Sequence, residues 1–277
     1  MRNFIVLFLS FILIIIMAYQ LNQLTITTLN YFPIDSEATF SETATKLTVN
    51  RSDNERSILT WEIVSSHELN SYLNQDVGLL FKDGQLVSVQ SKWSQTTSQL
   101  SQKTDLLALP NSLYQAISYH YLELHHPASQ IMSANQMSTA QLYVTDSDSF
   151  QTPNTKQEKM VADKLINNTN KILEKNWSEL IDYYQIDPNL YYQIPLIKLT
   201  QYQKTPLPGL TEADSNRVIA QLWEGLYKNY LLRIREQQIN GGFMPLILLA
   251  KNHQHLYVLF TDDQGNYEQL IQKLNIN

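Results

Sequence analysis

The stretch from residue 118 to residue 127, SYHYLELHHP, places four metal-competent side chains, His120, Glu123, His125 and His126, within seven residues. A zinc ion needs three or four such donors converging in a tetrahedron. On a strand, His120 and His126 fall on one face while Glu123 and His125 share the other. On a helix, His120 and Glu123 meet at i, i+3 with His126 nearby. Neither conformation gathers all four, and the HExxH order of a zinc-protease helix is absent. His253 and His255 form a second group, two residues apart, a spacing that puts both on one strand face. The metal reading therefore rests on His120, Glu123, His125, His126, His253 and His255, and gains if His120 or His125 comes alongside the second group in space.

Two acidic pairs, Asp146 with Asp148 and Asp262 with Asp263, invite comparison with glycosidase or calcium chemistry. A glycosidase needs its carboxylates held across a cleft. Both pairs sit beside turn residues, where Asp serves local backbone hydrogen bonds. Nucleophilic chemistry has less support: the chain has no cysteine and contains neither G-x-S-x-G nor Ser-x-x-Lys. Thr43 and Lys46 imitate the latter spacing from within a polar segment. The seven glycines include no phosphate-binding loop or dinucleotide fingerprint. No catalytic residue and no cofactor is expected.

A formal net charge of -6 excludes a nucleic-acid partner, since no basic stripe could displace counterions from phosphates. The 16 tyrosines suit sheet positions, with the ring packed and the hydroxyl wetted. Grouped on one face, they would suit a carbohydrate or peptide.

The elements that must carry these groups begin with an apolar N-terminal run. From Phe4 to Tyr19 only Ser10 interrupts it. Met17 and Tyr19 are too bulky for a signal-peptidase site around Ala18, so a retained transmembrane anchor is expected over 1–21, contacting the membrane through residues 4–19. Arg2 precedes the run and the next basic residue is Lys46. That asymmetry places the N-terminus in the cytoplasm and the rest of the chain outside the cell membrane. Abundant Asn and Gln with few Arg point to a Gram-positive bacterium.

Residues 22–56 read as a polar stalk with one strand near Lys46–Val49. A strand is expected over Ile58–Val64, a short helix over His67–Asn74, and a hairpin around Asp83-Gly84, whose positive φ angles suit a type I′ turn. Residues 114–125 fit a doubly buried strand or a helix equally. A capping box at Thr155 and Glu158 opens a long helix ending before Pro188. Tyr191–Tyr202 reads as a strand. Thr211 and Asp214 cap a second helix running to about Gln238, and the rest reads as a closing hairpin around 252–254.

The expected fold class is α+β: an N-terminal transmembrane helix, then an extracytoplasmic domain of antiparallel hairpins and two long amphipathic helices. The division is 1–21 anchor, 22–56 stalk, 57–152 strand-rich lobe and 153–277 helix-rich lobe, the two lobes able to form one domain. The expected function is a non-catalytic binding or accessory module at the bacterial cell envelope, with another envelope protein as partner. The alternative is an envelope hydrolase or metal-dependent enzyme built on His120–His126.

Overall fold

The structure, a computed structural model, describes residues 29–51, 57–232, 242–262 and 264–276. It is dominated by antiparallel sheet. The first sheet has the order β1-β2-β5, from β1 (Glu42–Arg51), β2 (Ser57–Ser66) and β5 (Gln99–Leu107). The second has the order β4-β3-β6-β7-β8, from β3 (Leu73–Lys82), β4 (Gln85–Gln95), β6 (Ser112–His126), β7 (Gln130–Val144) and the two-residue β8 (Ser149–Phe150). The third has the order β12-β11-β10-β9, from β9 (Tyr191–Pro195), β10 (Leu246–Ala250), β11 (His255–Thr261) and β12 (Tyr267–Lys273). Two helices serve these sheets, α1 (Lys156–Tyr183) and α2 (Glu212–Leu226), the latter continuing into a π-helical turn at Tyr227–Leu231.

The ambiguity over 114–125 resolves as strand β6, and the register explains it. β6 pairs with β3 on one side and β7 on the other. One face packs Tyr114 and Ala116 against Leu47, Leu59 and Trp61 of the first sheet. The other packs Ile117, Tyr119 and Tyr121 into the largest cluster, with Trp223 and Leu226 of α2. A central strand covered on both faces has no polar side to show, so its sequence carries no alternation.

Other elements follow local chemistry closely. Asp83 and Gly84 take φ of 51° and 84°, both positive as a type I′ hairpin requires. Thr155 accepts from the Glu158 amide while the Glu158 carboxylate accepts from the Thr155 amide, so the expected capping box starts α1. Thr211 likewise accepts from the Asp214 amide at the head of α2. The expected helix over His67–Asn74 is instead loop leading into β3. The expected strand over Tyr191–Tyr202 stops at Pro195 and turns into a 3-10 helix, Leu196–Gln203.

The described part of the expected stalk is packed. β1 pairs along its length with β2, Leu29 is buried, and Ser133 exchanges backbone bonds with Pro33 and Asp35 at 2.8 Å. Its outward residues made it look like a spacer, while Thr45 and Leu47 face inward. The largest hydrophobic cluster joins Val77 and Phe81 from the strand-rich segment to Ile247 and Val258 from the helix-rich one.

The expected transmembrane helix is corrected. No helix among the described residues is long and apolar enough to cross a membrane. α1 has the length, but Lys156, Glu158, Lys159 and Asp163 lie within its first turns, and α2 is only 15 residues long. The anchor assigned to 1–21 lies outside the described residues. With that helix go the signal anchor and the assignment of the N-terminus to the cytoplasm and the remainder to the outside. The α+β description gives way to a fold of mostly antiparallel sheets.

Candidate functional site

Strand register builds the most chemically capable group. Asp76 on β3 lies opposite His120 on β6, and Ser118 on β6 lies opposite Ser138 on β7. All four point between the first two sheets, toward Thr45 of β1. Asp76 Oδ1 is 2.9 Å from His120 Nδ1, and His120 Nε2 is 2.8 Å from Ser138 Oγ. Ser138 Oγ is 2.6 Å from Thr45 Oγ1, which donates to Ser118 Oγ at 2.6 Å. Ser65 donates to the second oxygen of Asp76 at 2.9 Å.

The spacing of Ser138, His120 and Asp76 resembles a nucleophilic triad. A carboxylate can only accept, so His120 Nδ1 donates to Asp76. Ser138 Oγ then links Nε2 of the same ring to Thr45, and Thr45 to Ser118. The result is a polar chain from Asp76 across β6 and β7 to β1. It fastens the two sheets together where their interior turns polar.

The remaining sequence candidates scatter. Glu123 and His125 share the opposite face of β6, as strand geometry requires, and lie 2.6 Å apart, with the His125 ring stacked on Tyr72 at 4.0 Å. His126 pairs with Asp35 at 2.9 Å. His253 occupies the tight turn between β10 and β11 with φ of 56°, and its Nε2 donates to the Pro208 carbonyl. His255 bonds the Tyr191 hydroxyl at 3.0 Å. Among the described residues no three His, Cys, Asp or Glu side chains are grouped to hold one metal ion. Asp148 closes a turn with Thr145, and Asp262 accepts from the amides of Gln264 and Asn266. Burial opposes the Asp262 charge, but these hydrogen bonds outweigh it and hold its carboxyl below the usual range. Asp263 lies outside the described residues.

A second arrangement lies on the outer face of the third sheet. The last turns of α1 cover Leu246, Leu248 and Leu259 with Leu180 and Ile181. Around that contact the face is aromatic. Tyr183 meets Tyr184 and Tyr267 edge-on at 5.0 and 5.1 Å, while Tyr191, His255 and Tyr257 form a cluster with centroid separations of 4.7–5.7 Å. Tyr183 is 64% exposed, and Ile271, opposite Tyr257 in the register, is 60% exposed. The hydroxyls of Tyr184, Tyr191 and Tyr267 are held above their ordinary range, chiefly by burial of the rings around them, so all three remain neutral donors.

Sequence reading missed Asp76, Thr45 and Ser138. A usable signal exists for Asp76, the one charged residue of LNQDVGLLF, a segment buried from Leu73 to Phe81. The tyrosines were visible only as a count. No protein-family model, no curated protein and no solved structure matches the chain.

Proposed function

We propose that the protein is a non-catalytic binding module whose partner is another protein, taken on the aromatic face around Tyr183, Tyr257 and Ile271. The observation that carries this reading is the concentration of exposed ring and aliphatic surface beside hydroxyl donors on one sheet face. Tyrosine offers a large contact area with a hydrogen-bonding tip and few rotatable bonds, which is why it recurs at the centres of protein interfaces. Ser138 Oγ is held on both sides, by His120 and by Thr45, inside the paired sheets, which supports the non-catalytic half of the reading.

The test is photocrosslinking in the cells that make the protein, with a benzophenone side chain at Tyr183 and, as a control, at the exposed Lys103 on β5. The expected result is one discrete adduct from position 183 that is absent from position 103. Identical adducts at both sites, or none at 183, overturn the reading. So does covalent labelling of Ser138 by a fluorophosphonate, which only an activated serine undergoes.

A further inference from the structure

The third sheet ends on β12, whose outer edge has no strand beside it among the described residues. Natural sheets shield such edges with proline, bulges, short length or neighbouring elements. The other sheet ends follow that rule: β8 has two residues, and β9 has five and ends in Pro195. β1 is tied to β7 through Thr45 and Ser138, and β4 to β5 through Lys92 Nζ, which donates to the Ser101 carbonyl. β12, YEQLIQK, has seven residues with no proline or glycine, and its register against β11 is unbroken.

The phase of its backbone is fixed at both ends. The Asp262 amide donates to the Asn266 carbonyl at 3.0 Å, and the Leu274 amide to the Gln254 carbonyl at 2.9 Å. Antiparallel alternation then turns the backbone groups of Glu268, Leu270 and Gln272 inward to β11. Those of Gln269, Ile271 and Lys273 point out along the open edge, as do those of Tyr267, whose carbonyl also accepts from the Tyr184 hydroxyl at 2.9 Å and keeps its second lone pair for a partner.

We infer that β12 pairs antiparallel with β12 of a second copy of this chain, about a two-fold axis through Leu270. This rests on the binding reading above and names its partner. Outward-facing residues must meet outward-facing residues, and the register centred on Leu270 uses all of them: Tyr267 opposite Lys273, and Gln269 opposite Ile271. A shift of two residues either way leaves Tyr267 or Lys273 without a mate. The charges also favour it. The Tyr267 hydroxyl donates to Glu179, so the partner copy's lysine at position 273 arrives beside a ring and a carboxylate. The exposed Ile271 becomes covered by the diagonal isoleucine across the axis.

Because the chain has no cysteine, introduced thiols report this geometry without background. Leu270→Cys faces itself in a non-hydrogen-bonded pair, where α-carbons lie about 4.5 Å apart, close enough for a disulfide. The full chain is expected to sediment as a dimer, and the oxidised L270C variant to run as a covalent dimer. Mixed Gln269→Cys and Ile271→Cys chains should crosslink to each other. Ile271→Lys, at an exposed site, should weaken the dimer by at least about tenfold, and Lys273→Glu should weaken it by placing like charges at Glu179. A folded chain that stays monomeric, with L270C uncrosslinked, overturns the inference. If the Tyr183 adduct in that case contains a different protein and is lost in I271K, the binding reading survives without the second copy. If there is no adduct either, both fall.

Discussion

Asp76 and His120 stand opposite each other on β3 and β6 with Oδ1 and Nδ1 2.9 Å apart, and neither side chain has any exposed surface. A buried pair adds little over a well-packed apolar one, yet removing one partner strands the other. Asp76→Ala leaves the His120 ring N–H without its acceptor and the Ser65 hydroxyl with only the more distant Asn74 Oδ1 at 3.4 Å, and should cost about 3–5 kcal/mol. Asp76→Asn keeps one carbonyl oxygen and should cost less, about 1–3 kcal/mol. Urea midpoints measure both, and two near-wild-type values would show that the polar chain does not hold the sheets together.

Gly84 presents a different dependence. Its φ is 84°, and an added Cβ would lie 2.8 Å from the Leu173 side chain of α1. Gly84→Ala should therefore destabilise by about 1–3 kcal/mol through backbone strain and crowding together. Combined with Leu173→Ala, the crowding part should disappear, so the double mutant should be more stable than the sum of the single changes predicts. Strict additivity would mean that the hairpin and α1 do not press on each other here.

His67 predicts an acid limb. It is 3% exposed, its Nδ1 has no hydrogen-bond partner among the described residues, and burial holds its pKa below the ordinary value, against the raising influence of nearby backbone carbonyls and Asp76. The unfolded chain therefore binds more protons than the folded one as pH drops through the ordinary histidine range, near about 6.5. The contribution is complete above that pH and is lost below it. Between pH 7.5 and pH 5.5 the wild-type urea midpoint should fall further than that of His67→Gln, while parallel curves would contradict the assignment.

Much of the local architecture was legible because its causes lie within a few residues. The Asp83-Gly84 turn, the Thr155 capping box and the Thr211 cap are each short-range chemistry, and all form. β1 was not legible, since a polar strand edge and a polar linker have the same composition. The length of β9 was lost to the bend after Pro195.

Residue types and spacing determined, without coordinates, where the chain turns, where its helices start, that the chain has no cysteine, and that Glu123 and His125 share a face if β6 is a strand. Tertiary structure alone decided that His120 serves Asp76 rather than His125, that Ser138 meets its other ring nitrogen, and that scattered tyrosines from α1, β9, β11 and β12 share one surface. The reason is distance along the chain: Asp76 and His120 are 44 residues apart and Tyr183 and Tyr267 are 84 apart. Such meetings are set by strand register and layer packing, which depend on every intervening element at once.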